Sequence, residues 1–294
     1  MNKILLQIIA FVLFSTSVFA QIPKLDHIKN LKESKIIIGL SHNENLNINL
    51  TKMVNQYWNL CQIDGALPYK EAIQKAKNDD NTFVIFVSTM TSRGLKHNFD
   101  ENWDFRLISS GKFVGLSNGS KKPLMRSYIP SSESLIPSES IAHGINFMQT
   151  IITSMIEEQK GAMKVIGLYK KEAKELANKT LYIPKVWLHK KLTPEIITKE
   201  YGSTNYKLVS YEEWKDAILN KKDGIAYVIL IPVPIAGQYM FQHHIFDSAT
   251  NQLYAISQSR VAVSLNAVNL SKANTGYITK KNIKKYKGVL SGKW

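Results

Sequence analysis

The chain has 294 residues, 44% aliphatic or aromatic and 21% charged, with 38 Lys and Arg against 23 Asp and Glu for a formal net charge of +15. That balance excludes a disordered, collagen-like or multi-pass membrane chain, and the length allows one large or two medium domains. A single cysteine, Cys61, excludes both an intramolecular disulfide and a four-cysteine metal site.

The N-terminus reads as a targeting segment. Lys3, the apolar run Ile4 to Phe14 and the small-residue end Ser15-Thr16-Ser17-Val18-Phe19-Ala20 have the pattern of a secretory signal peptide, residues 1–20, cleaved after Ala20. The apolar run is shorter than the ~20 residues that a membrane span needs, and no later stretch is apolar enough. The chain is therefore expected to be exported, secreted or periplasmic, and not transmembrane once cleaved. Export argues against nucleic acid as a partner. It leaves anionic lipid, polysaccharide or an envelope protein for so basic a chain to meet. Only Arg93, Arg106, Arg126 and Arg260 are arginines, so the charge is carried by lysine, which lacks the fork that reads carboxylate and phosphate bidentately.

After the signal the sequence reads as one arrangement stated twice. The first unit, 21–130, begins with a helical stretch Leu25 to Lys32 and the strand Ile36 to Leu40. A helix follows, with Leu46, Leu50, Met53, Val54, Tyr57, Trp58 and Cys61 three and four apart. A turn at Asp64-Gly65, a helix Glu71 to Lys77 and a buried strand Phe83 to Val87 come next. The unit ends in a hairpin, with Arg106 to Ile108 as one arm, Ser109-Ser110-Gly111 as the turn, and Lys112 to Ser117 as the other arm. In the linker, 131–165, Ile141, Ile145, Met148, Ile152, Met155 and Ile156 stripe a long helix that Gly161 is expected to stop.

The second unit, 166–294, repeats the order. Helical Lys170 to Asn178 leads into the strand Leu181 to Ile183. Thr193-Pro194-Glu195 opens a helix that Gly202 closes. The strand Tyr206 to Val209 is followed by a helix starting at Ser210, with Glu213 at capping-box spacing. Ile225 to Ile231 is the continuous apolar run of a strand buried on both faces. A hairpin follows, His244 to Phe246, turn Asp247 to Asn251, then Gln252 to Ser257. Tyr69-Lys70-Glu71 and Tyr211-Glu212-Glu213 fall at the same place in the two units. Strands alternating with helices favour parallel pairing with crossover helices. The expected fold is α/β, with two similar units, each a small mixed sheet of parallel strands plus an antiparallel hairpin, joined by a long helix.

The candidate chemistry is sparse. Gly115-Leu116-Ser117-Asn118-Gly119 has the G-x-S-x-G pattern in which a strand-to-helix turn exposes a nucleophilic serine, but Ser120-Lys121-Lys122-Pro123 does not open a helix. Ser257 occupies the corresponding place in the second unit without flanking glycines. Ser109-Ser110-Gly111-Lys112 fits S-x-x-K in a turn rather than on a helix. His243 and His244 are the one histidine pair. Alternation along a strand points them to opposite faces, so they are read as half-exposed strand histidines with no shared metal. His27, His42, His97, His143 and His189 stand alone. Glu212-Glu213 is explained by helix capping and Asp79-Asp80 by a turn, while Asp100, Glu101 and Asp104 near Trp103 read as a loop. No nucleotide-binding glycine loop is present, so no cofactor and no metal are expected. The tail packs Lys280, Lys281, Lys284, Lys285 and Lys287 into eight residues, an anionic-surface candidate with Ile283, Tyr286 and Leu290 on its apolar side.

These signs favour an exported, non-catalytic binding or assembly component of the cell envelope. The alternatives are a secreted serine hydrolase using Ser117 with a histidine such as His243 or His244, and a surface adhesin or polysaccharide-binding protein.

Overall fold

The computed structural model describes residues 23–89, 112–120, 122–131, 136–235, 238–258, 263–264, 267–268 and 276–293. The signal segment, the acids around Trp103, the arm Arg106 to Ile108 and the turn Ser109 to Gly111 lie outside them.

The first sheet is built from β1 (Lys35–Leu40), β2 (Gln62–Pro68), β3 (Thr82–Thr89), β4 (Lys112–Ser117) and β5 (Met125–Tyr128), in the order β2-β1-β3-β4-β5. Its parallel strands are linked by α1 (Glu44–Tyr57) and α2 (Tyr69–Asn78). Two helices, α3 (Ser138–Glu158) and α4 (Ala162–Glu172), precede the second sheet. That sheet contains β6 (Thr180–Pro184), β7 (Tyr206–Val209), β8 (Ile225–Ile235), β9 (Gln238–Asp247) and β10 (Leu253–Gln258). Helices α5 (Pro194–Tyr201) and α6 (Tyr211–Leu219) form its crossovers, and α7 (Lys280–Leu290) follows.

The second sheet runs β7-β6-β8-β9-β10, which is the first order strand for strand. In each, the first-entered strand is parallel to both neighbours and the last two strands return antiparallel. The chain is thus mixed α/β with two similar five-stranded sheets. Tyr69 and Tyr211 each begin the second crossover helix of their unit.

Several local signals act as read. Thr193 accepts from the Ile196 N–H, Pro194 fills the first turn, and Gly202 closes α5 in the left-handed region at φ 73°. Ser210 accepts from the Glu213 N–H at 3.1 Å, but the Glu213 carboxylate turns outward to Lys207 at 2.6 Å, so the box is half closed.

Others are corrected. Leu25 to Lys32 forms two single 3₁₀ turns, not an α-helix. Asp64-Gly65 is not a turn but the bulge inside β2: Ile36 pairs Ile63 while Ile38 pairs Ala66, and Gly65 takes up the extra residue at φ 102°. Gly161 does not stop α3. Gln159 does, in the left-handed region at φ 49°, and Gly161 is the N-cap of α4. The described hairpin partner of β4 is β5, which follows it, so β4 corresponds to β9 and Ser257 in β10 does not correspond to Ser117. Cys61 lies beyond the end of α1 and is half-buried, not on a helix face.

Alternation along β1 divides the packing. Ile37 joins Val84, Phe86 and Phe113 under Ala72 and Ala76 of α2. Ile36 and Ile38 face the other way, into one continuous core that also takes in Leu50 and Val54 of α1, α3 and the second sheet. Helix α3 is buried on almost every side, with every residue from Glu139 to Gln149 buried. Such a helix sits inside a core rather than on it. Gly144 marks its closest approach to the first sheet, where a Cβ would lie 2.9 Å from both the Val114 and Ile129 methyls.

Candidate functional site

Helix α3 carries its polar side chains on two faces. Toward the first unit, Gln149 accepts from the Asn59 N–H at 2.7 Å and donates to the Tyr57 carbonyl at 2.7 Å, closing the backbone groups left open where α1 ends. Toward the second unit the stripe is Glu139, His143, Phe147 and Thr150, spaced as one face of a helix. Tyr211 donates to the Glu139 carboxylate. Tyr227 and His244 meet His143, the Phe147 ring lies tilted against His244 and edge-on to Phe246, and Thr150 donates to the Asn251 carbonyl at 3.0 Å.

The histidine part of this seam has a defined proton order. Gln242 Oε1 can only accept, so His244 Nε2 carries the proton at 3.2 Å. A neutral ring has one N–H, so His244 Nδ1 accepts from His143 Nε2 at 3.4 Å. His143 Nδ1 then accepts from the Tyr227 hydroxyl at 3.1 Å. His243 points to the opposite face, toward α7, and has the other tautomer. The Thr279 N–H donates to Asn282 Oδ1 at 2.8 Å, which turns the Asn282 amino group toward His243 Nε2 at 3.4 Å. His243 Nδ1–H therefore donates to the Tyr286 hydroxyl at 2.5 Å.

The opposite-face reading of His243 and His244 holds, but their half-exposure does not: His243 is 0% and His244 3% exposed. Burial pulls both imidazoles down to about 3, with the charges of Lys285 and His244 adding to it at His243. Burial also holds His143 well below the usual imidazole range, helped by His244. His143 is not isolated, as its sequence neighbours implied; it is the centre of the seam. Burial raises Glu139, against the hydrogen bond from Tyr211 and the field of Lys215. What these groups do chemically is fill each other's hydrogen-bonding capacity inside the core.

Ser117 and the histidines are not brought together. Ser117 is buried at the end of β4, where its hydroxyl donates to the Ser120 carbonyl at 3.3 Å and accepts from the Gly119 N–H at 3.2 Å. The chain then turns into β5 rather than a helix. Asp247, at the corresponding end of β9, caps its turn in the same way, accepting from the Ala249 and Thr250 N–H groups. Its carboxyl is pushed up by burial, yet lies below the usual range because Lys179, Thr250 and Tyr254 outweigh that. The serine in register with His243 is Ser257, whose buried hydroxyl has no hydrogen-bond partner among the described residues. Among those residues, no group of three or more His, Cys, Asp or Glu is placed to hold a metal ion, and no helix is long and apolar enough to cross a membrane.

The tail lysines lie on α7. Its apolar side, Ile283, Tyr286 and Val289, is fully buried in the core, with Leu290 half-buried beside it. Glu200 of α5 pairs with Lys280 at 2.9 Å and Lys284 at 3.4 Å. Trp214 on α6 and Trp58, which follows the last residue of α1 in an extended conformation, are both core residues.

An open cleft of about 460 Å³ lies between α1 and α6 at the start of α3. Lys52 and Gln56 wall it from the first unit, Glu212, Lys215 and Asp216 from the second, and Ser138 stands at its base. Both signs of charge therefore face one space. Comparison of the chain with protein-family models, curated proteins and solved structures returns no match.

Proposed function

We propose that this chain is an exported α/β protein of the cell envelope that binds a ligand or partner rather than transforming it, with the cleft between α1 and α6 as the binding place. The observation that carries this reading is the cleft itself, polar, open and walled by one helix from each of two similar units. Polar groups converging at the junction of two units are a common setting for ligand binding. The three buried histidines support the non-catalytic part, because each ring nitrogen is already used inside the core. The partners in this reading are anionic lipid, polysaccharide or another envelope protein.

A thermal-shift screen with amino acids, sugars and organic phosphates, run on the chain and on Gln56→Trp, tests the cleft. Compounds that stabilise the parent should not stabilise the variant, in which the indole fills the space. Equal stabilisation of both would move the ligand elsewhere and overturn the assignment. Labelling by a fluorophosphonate probe that disappears in Ser117→Ala would overturn the non-catalytic reading. Export rests on residues 1–20, and N-terminal sequencing of the processed chain should begin at Gln21.

A further inference from the structure

The outward arc of α7 is built almost wholly of lysine. On a helix of 3.6 residues per turn, Asn282, Ile283, Tyr286 and Val289 form the buried side. Positions 280, 281, 284, 287 and 288 make up the opposite side, and all but Gly288 are lysine. Lys280, Lys281, Lys284 and Lys287 are exposed, and α7 contains no acidic residue. Ordinary solvated helix faces mix the two signs and gain from it. This one works against its own helix: Lys280 and Lys281 occupy the first turn, where the helix dipole disfavours cations, and Lys280 and Lys284 repel at a spacing of four. Glu200 pairs with two of them, Lys280 and Lys284. The neighbouring segment adds charge of the same sign. Leu188 bridges to Ile278 and the His189 N–H donates to the Ile278 carbonyl at 3.0 Å, which sets Lys190 and Lys191 next to the start of α7.

We propose that this lysine face docks the protein on a bilayer bearing phosphate headgroups. The proposal narrows the partners named above to one, and it is independent of what occupies the cleft. Three properties favour a lipid surface over a polysaccharide or a protein. The face is the convex side of one helix about 16 Å long, with no groove to hold a glycan chain. It has lysines and no arginine, which suits diffuse, fluid charge better than fixed anion geometry. Its apolar residues are turned into the core, so it lacks the apolar centre that a protein interface needs. For the same reason the contact is electrostatic, without insertion of α7, contrary to the amphipathic mode expected from the tail sequence.

The test is co-sedimentation of the full chain with phosphatidylcholine vesicles containing or lacking phosphatidylglycerol, at low and high salt. Binding should require phosphatidylglycerol and be lost at high salt. Lys281→Glu/Lys284→Glu/Lys287→Glu should weaken it by at least about 100-fold, roughly five-fold for each lysine removed, with repulsion by the new carboxylates in addition. Lys29→Glu/Lys70→Glu/Lys77→Glu, with the same change in net charge in the first unit, should bind like the parent. Circular dichroism checks that both variants fold. Equal loss in both would show that net charge alone drives binding and would overturn the proposal. So would binding to heparin with none to phosphatidylglycerol vesicles. Either failure leaves the cleft assignment standing.

Discussion

Acid should unfold this protein through its buried histidines, and the effect can be worked out from the structure. In the unfolded chain an imidazole titrates near 6.5; in the folded chain His243 and His244 lie at about 3. Between those limits the unfolded state holds one more proton per ring, so stability rises with pH by ~1.4 kcal/mol per unit for each ring. Stability from this source is complete above about 6.5 and drains as pH falls toward about 3. Going from pH 7 to about 4.5 removes ~2.7 kcal/mol per ring and ~5 kcal/mol for the two. That is comparable with the entire stability of an ordinary domain, ~5–15 kcal/mol. His143 acts in the same direction. Glu139 acts oppositely: its folded value is raised, so its contribution is full below the free-chain carboxyl value and lost as pH rises through the folded one. Asp247, lowered, adds a further loss only in more acid solution. Urea midpoints from pH 7 down to 4.5, followed by far-ultraviolet circular dichroism, give the slope directly. His243→Gln and His244→Gln should each lower it by ~1.4 kcal/mol per unit, whatever their stability at neutral pH. A parent slope well under ~1 kcal/mol per unit, or single variants that leave it unchanged, would refute the burial of two neutral rings.

Gln149→Leu fills nearly the same volume but strands the buried Tyr57 carbonyl, while the part-exposed Asn59 N–H can turn to water; it should lower unfolding free energy by ~1–3 kcal/mol, the penalty of one unpaired buried group, read from urea denaturation. Gly144→Ala drives a methyl into Val114 and Ile129, and should cost ~1–3 kcal/mol by overpacking, with Val114→Ala in the same chain recovering part of the loss. Cys61 should react slowly with a disulfide reagent at neutral pH and rapidly once urea is added, because burial raises its thiol. Equal rates in both states would contradict that.

What could be read in advance follows the range of the forces involved. Apolar runs and end signals act over a few residues, so β1, β3, β8, α5 and α6 could be placed from Ile36-Ile37-Ile38, Phe83 to Val87, Ile225 to Ile231, Thr193-Pro194 and Ser210 alone. The bulge at Gly65 resembled a turn because a left-handed glycine serves both, and only the pairing of β2 with β1 separates them. Cys61 kept the helical spacing of α1 past its end because Trp58 leaves the helix in an extended conformation. The arm Arg106 to Ile108 lies outside the described residues, so that half of the expected hairpin has no described counterpart.

The seam was missed for a different reason. His143 and His244 are separated by 101 residues, and no local pattern ties a helix in the linker to a strand of the second sheet. A signal was nonetheless present. Glu139, His143 and Thr150 recur at helical spacing along a helix that also carries the apolar stripe Ile141, Ile145, Met148, Ile152 and Met155. Polar groups on a helix buried on almost every side gain from finding partners, since each one left unpaired costs roughly 1–3 kcal/mol; Ser140 Oγ and Asn146 Oδ1 have none among the described residues. The same gain accounts for Tyr211 and Tyr227, each of which supplies a hydroxyl to α3. Duplication also concealed the asymmetry. The sheets match strand for strand, yet the helix that follows the first sheet is buried on nearly all sides, whereas the one that follows the second keeps an outer face. One element after the same pair of antiparallel strands therefore carries buried polar contacts in the first unit and is coated with lysine in the second. The cationic surface follows from α7 having one face left to water, which α3 does not.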